Sequence, residues 1–63
     1  MKLTLREWRR ARGLSQETIA QALGVHVNTY AAWEKNQSRM PVTKAFEAAM
    51  VLDVDIDSII FDA

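Results

Sequence analysis

No cysteine occurs among the 63 residues, which excludes disulfides and thiolate metal sites. Proline appears once, at Pro41, and glycine twice, at Gly13 and Gly24, so the strong chain breakers stand at three positions only. Apolar runs are too short to cross a membrane. The N-terminus has no hydrophobic stretch followed by a small-residue cleavage site, so a soluble, cytoplasmic protein with no membrane partner is the expectation. The single histidine, His26, has no serine, cysteine or acid placed by the sequence to orient it as a catalytic base. No other cluster of titratable residues suggests chemistry, so no enzyme and no cofactor is expected. Asp53, Asp55 and Asp57 mimic the start of a calcium loop, but Ser58 stands where that loop needs glycine, and no metal site is expected.

The chain also lacks a surplus of either charge: eight basic residues face eight acidic ones. That balance argues at first against nucleic acid, whose ligands are usually basic. The distribution matters more. Residues 1–39 carry seven of the basic residues against Glu7, Glu17 and Glu34, a balance of +4, and residues 40–63 carry only Lys44 against Glu47, Asp53, Asp55, Asp57 and Asp62, a balance of −4. Such a dipole presents its basic half to an anionic polymer.

What is present is mostly helix-forming, and the length allows one domain, residues 1–63. Thr4 and Glu7 form a capping box that opens a first helix bearing Leu5 and Trp8, with Gly13 as the left-handed residue that ends it. Ser15 caps a second helix in which Ile19, Ala20 and Leu23 share a face, and Gly24 closes it. Only Val25 and His26 remain before a third helix near Val27, whose inner face is Tyr30, Trp33 and Glu34. Asn36 is expected to take a positive φ at its end, and residues 36–40 read as loop. Pro41 fits the first turn of a fourth helix carrying Val42, Ala45, Phe46, Ala49 and Met50 at helical spacing. Asp53 ends it. Residues 55–61 are expected to form a last short helical turn, with a strand within 51–61 as the alternative, because Val54 and Ile56 alternate with aspartates there.

A helix, a tight turn at Gly24 and a second helix crossing it steeply form an arrangement that lays one helix across a phosphate backbone and the next in the major groove. That spacing alone is a weak signal. The run Gly13-Leu14-Ser15-Gln16-Glu17-Thr18-Ile19-Ala20-Gln21-Ala22-Leu23-Gly24-Val25, followed by Trp33-Glu34, is more specific and resembles the phage repressor and Cro family, the lambda-repressor-like or XRE group. The resemblance implies an all-α, compact five-helix helix-turn-helix domain. It implies base-edge contacts from Val27, Asn28 and Ala32, and backbone contacts from Gln16, Asn36 and Arg39. It also matches Arg9 and Glu34 to an internal ion pair. His26 stands where serine or threonine usually caps the third helix; it is expected to cap less well but to offer a ring nitrogen to phosphate. Asp53 stands where glycine is usual, and Ala45 and Ala48 are smaller than the leucines common there, which would leave the fourth helix thinly packed.

Register agrees with the resemblance. Positions 27, 31 and 35 align on a helix with 28 and 32 beside them, and 30, 33, 34 and 37 lie opposite. The outer set, Val27, Asn28, Ala31, Ala32 and Lys35, has no carboxylate to repel phosphate, and Lys35 is counted among the backbone contacts. Trp8 and Trp33 sit with Leu5 and Tyr30, which reads as core rather than as a stacking platform for single strands. Arg6, Arg9, Arg10 and Arg12 span more than one face of the first helix, so not all of them can reach DNA. Ile56, Ile59, Ile60 and Phe61 concentrate apolar surface near one end, and a homodimer is expected there. The expected function is a Cro-like repressor of transcription that binds double-stranded DNA as that dimer on a palindromic operator. The alternative is an antitoxin-type module of the same fold that binds a protein partner through its C-terminal segment.

Overall fold

Each of the first three helices begins where a side chain takes over an amide that the helix cannot satisfy itself. The computed structural model describes residues 1–61, and Asp62 lies outside them. Helix α1 (Leu5–Ala11) opens on the capping box: Glu7 N–H donates to Thr4 Oγ1 at 3.2 Å, and Thr4 N–H donates to Glu7 Oε1 at 2.9 Å. Helix α2 (Gln16–Leu23) opens on Ser15 Oγ, which accepts from Thr18 N–H at 3.1 Å. Helix α3 (Val27–Lys35) follows after Gly24, Val25 and His26, and α4 spans Val42–Leu52. Pro41 is the residue just before α4 rather than part of its first turn, and its carbonyl accepts from Ala45 N–H at 2.9 Å. Gly24 ends α2 at φ 71°, in left-handed space where a Cβ is strained.

The core is small and apolar at its centre. Leu5, Ile19, Tyr30, Ala48 and Leu52 are fully buried, and Leu23 nearly so. Helix α4 packs on α2, and its buried face is Ala48, Ala49 and Leu52. Of the two small side chains, Ala48 is fully buried and Ala45 packs against the core. The apolar spacing misled. Val42, Phe46 and Met50 face solvent at 71%, 53% and 79% exposure, so α4 has an inner alanine and leucine face and a separate outer apolar stripe.

The C-terminal segment departs from a fifth helix. Only Ile56–Ser58 makes a single 3-10 turn; Ile59–Ile60 then forms strand β2, paired in parallel with β1 (Leu3–Thr4), Leu3 opposite Ile59 and Thr4 opposite Ile60. The β-branched isoleucines suit the pleated, half-buried position, and the pairing ties the two ends of the described chain together. Trp8 Nε1–H donates to the Ser58 carbonyl at 2.8 Å and holds the turn. A second 3-10 turn, Gln37–Arg39, lies where a loop was expected.

Several carbonyls and amides at helix ends are satisfied from distant parts of the chain. Arg12 Nε–H donates to the Leu52 carbonyl at 2.8 Å while its guanidinium lies 5.4 Å from the centre of the Trp8 ring, a combined cap and cation–π contact. Lys44 Nζ donates to the Leu23 carbonyl at 2.7 Å, at the end of α2. The buried side chain of Gln37 accepts from Leu5 N–H at 3.0 Å, at the start of α1.

Asp53 ends α4 at φ 59°, the one non-glycine residue with positive φ among those described. Replacing it with glycine relieves the Cβ strain and loses some unfolded-state restriction. Asp53→Gly is expected to stabilise the fold by about 0.5–1 kcal/mol net. A thermal melt followed by circular dichroism should rise by roughly 2–8 °C; an unchanged or lower midpoint would show that aspartate is unstrained there.

Candidate nucleic-acid interface

The three-residue turn between α2 and α3 fixes how α3 is presented. Gly24 reverses the chain, Val25 packs against the core, and His26 becomes the cap of α3. Its Nδ1 accepts from Asn28 N–H at 3.0 Å. The ring thus occupies the capping place that serine or threonine usually takes, through a ring nitrogen in place of a hydroxyl. A ring accepting at Nδ1 carries its proton on Nε2, and the exposed imidazole has that N–H available to an acceptor outside.

Behind the outer face of α3 lies a buried polar network. Arg9 Nε–H donates to Glu34 Oε2 at 2.6 Å, Arg9 Nη2 to Glu34 Oε1 at 3.4 Å, and Gln16 Nε2 to Glu34 Oε1 at 3.0 Å. Arg9 Nη1 also donates to the Leu14 carbonyl at 2.8 Å. The side chains of Arg9 and Glu34 are only 11% and 4% exposed. Burial would raise the Glu34 carboxyl, but the hydrogen bonds that hold its charged form, led by Arg9, outweigh burial and hold it below the ordinary value of 4.5. The same contact raises Arg9 further, so the guanidinium stays charged. Tyr30 Oη is buried beside this pair and makes no well-formed hydrogen bond among the described residues. Burial first, and then the Glu34 carboxylate, push the phenol upward, so it stays protonated.

The structure brings some expected site residues to one surface and gives others a different task. Asn28, Ala32 and Lys35 are exposed, with Val27 and Ala31 half-buried along the stripe beside them. Thr29 is exposed as well, and it lines a shallow hollow with Asn28, Ala32, Trp33 and Arg39; register alone had not put it on the outer face. Gln16 lies at this surface, but its amide N–H is committed to Glu34, which leaves only its carbonyl oxygen and its remaining N–H for other partners. Asn36 does not take positive φ. It sits at φ −138° because the chain runs straight into the 37–39 turn, where Asn36 Oδ1 accepts from Ser38 Oγ at 2.7 Å. Arg39 is exposed and makes no ion pair among the described residues. Of the proposed interface set, Ile59 is in the core at 6% exposure, and Ile56, Ile60 and Phe61 are half-buried. Register put position 37 on the inner side, but the task of Gln37 was not legible because its partner, the Leu5 amide, is 32 positions away.

With this geometry, the outward helix, its capped start and the neutralised carboxylate behind it, the family comparison is decisive. A family described as Helix-turn-helix matches residues 5–59. The chain belongs to that family, in its XRE type, with lambda repressor and Cro. Comparisons with curated proteins and with solved structures returned no match. The family consists of DNA-binding regulators rather than enzymes. Among the described residues of this helix-turn-helix protein, no helix is long and apolar enough to cross a membrane.

The Arg9–Glu34 pair yields a double test. Truncating Glu34 to alanine strands a buried guanidinium and should destabilise by about 3 kcal/mol, with a coupling to Arg9→Ala of about 1–3 kcal/mol in a double-mutant cycle. Because the folded carboxyl is held low, its contribution is complete above the ordinary carboxylate value and is lost as pH falls below it. Glu34→Gln should therefore flatten the acid side of the stability–pH curve; zero coupling together with an unchanged acid slope would reject the pair as a source of stability.

Proposed function

We propose that this protein is a sequence-specific transcriptional repressor that binds duplex DNA as a dimer on a palindromic operator. The observation that carries the reading is the outer face of α3: exposed Asn28, Thr29 and Ala32 beside Arg39, with the one carboxylate of α3, Glu34, buried against Arg9. A protruding helix of small and amide side chains fits the major groove, where asparagine can pair with adenine through two hydrogen bonds and a methyl group can meet the thymine methyl. Few polar groups reach outward, so DNA shape adds to the discrimination. Arg39 and the Nε2–H of His26 suit phosphates on either side of the base-reading residues. In this reading Gln16 acts mainly by holding Glu34 and touches the backbone through what remains of its amide.

Binding measurements with two variants separate reading from holding. Asn28→Ala should lower affinity for the operator by about 1–3 kcal/mol and leave random duplex unaffected. Arg39→Ala should weaken binding to every sequence and flatten the log–log salt slope by about one unit. Equal losses on operator and random duplex for Asn28→Ala would remove it from base contact.

A two-fold dimer supplies two recognition helices about 34 Å apart, one turn of DNA. Because Ile59 is used in the core, the apolar surface that supports self-association is the α4 stripe of Val42 and Phe46, joined to Ile56 and Phe61 across a shared groove. Exposed apolar side chains in one continuous row are the usual mark of an interface. The same row would suit a foreign protein, as an antitoxin-type module would need. Sedimentation of Phe46→Glu with and without operator distinguishes the two. A pair that dissociates, with weaker operator binding, is expected. A wild-type chain that stays monomeric on DNA would reject the dimer and favour the foreign partner.

A further inference from the structure

Beside the base-reading face lies a second basic surface, of which sequence register assigned Lys35 but neither Arg6 nor Arg10. Arg6 and Arg10 of α1 and Lys35 at the end of α3 line an open concavity together with Arg9, Gln16, Ala31 and Glu34. Its one carboxylate, Glu34, is already engaged by Arg9 and Gln16. Glu7, the one acid on α1, is turned to the start of its helix and held by Thr4. Arg6, Arg10 and Lys35 therefore carry three positive charges with no ion-pair partner among the described residues. Arg6 and Arg10 are also four residues apart on a short helix, an arrangement in which like charges repel. The position of this surface is as informative as its charge. From α3 it takes Ala31, on the same stripe as Val27 and Lys35, whereas Asn28, Ala32 and Arg39 share the hollow on the other side of α3.

We infer that this concavity is a second phosphate grip, in which Arg6 and Arg10, with Lys35, hold phosphodiester oxygens of the DNA strand that runs along the α1 side of the recognition helix. The inference rests on the DNA-binding reading and extends it: α3 lies between two cationic flanks, one for each strand bordering the major groove. Arg39 serves one strand. Arg6 and Arg10 serve the other, where each forked guanidinium group can donate to two oxygens of its own phosphate. The alanine at 31 leaves the backbone room to approach. Such contacts fix register on the duplex and carry no sequence information.

The test uses the whole chain and random duplex DNA over a range of salt. Arg6→Gln/Arg10→Gln should lower the log–log salt slope by about two units, near 0.9 for each phosphate no longer neutralised. The same variant should weaken binding to all sequences alike and preserve discrimination between operator and random duplex. Arg6→Lys/Arg10→Lys should retain most of the slope. Lys2→Gln removes a cation outside the concavity and should change the slope little. Both arginines are exposed; should the glutamine double variant melt below the assay temperature, either single variant should lower the slope by about one unit. An unchanged slope in the glutamine variants overturns the grip, as does an equal drop per charge in Lys2→Gln, which would mark a diffuse field. A wild-type chain without salt-dependent duplex binding would instead overturn the DNA-binding reading itself.

Discussion

Glu34 cannot face the interior of this domain without company, and the company it keeps joins three helices. Its carboxylate receives hydrogen bonds from Arg9 on α1 and Gln16 at the start of α2 while it sits on α3. An unpaired carboxylate at that depth would cost several kcal/mol. With its donors in place, the angle between α3 and the other two helices is set by hydrogen-bond geometry as well as by packing. The remainder of the interface depends on that angle. The outward stripe of α3 is free of negative charge because the only acid on the helix is turned inward and neutralised. Arg9, which lines a concavity with Ala31 and Lys35 of α3, is held in one orientation by the same pair and by the Leu14 carbonyl.

Around this network the fold uses long-range side-chain hydrogen bonds where a domain of this size cannot rely on buried area alone. Arg12 closes the end of α4, Lys44 the end of α2, and Gln37 the start of α1. Each reaches an orphan backbone group that would otherwise be exposed or unsatisfied. The division of arginines on α1 follows from this. Arg9 serves the internal pair and Arg12 the helix cap and Trp8, which leaves Arg6 and Arg10 as the cations of that helix with no structural task.

The charge asymmetry of the chain has a physical counterpart in these assignments. Arg6, Arg9, Arg10, Lys35 and Arg39 border α3, whereas Glu47, Asp53, Asp55 and Asp57 lie in and after α4. A protein with no net charge can therefore present an attractive field to DNA on one side. The outer stripe of α4 is a separate feature, apolar and uncharged, suited to contact with protein rather than with phosphate.

Local signals in the sequence were enough to determine the capping box at Thr4 and Glu7, the Ser15 cap, the glycines ending α1 and α2, and the outward register of 28 and 32. Each depends on residues within four positions of one another, where backbone sterics and helix period act alone. The likeness to the phage repressor family supplied the roles of those positions and the match of Arg9 to Glu34. What local signals could not determine was decided by contacts across the fold. Residues 59–60 became a strand because residues 3–4 lie beside them, not because of their own periodicity. Val42, Phe46 and Met50 have the spacing of a core face, yet Ala48, Ala49 and Leu52 were buried in their place because α2 approaches α4 on that side. His26 caps α3 through an atom that no propensity assigns to capping, and Arg6 and Arg10 share a concavity with Lys35 only once α1 and α3 have been brought side by side. Period and caps specify which residues are helical; which of two apolar or basic faces is used is set by the neighbour that packs there.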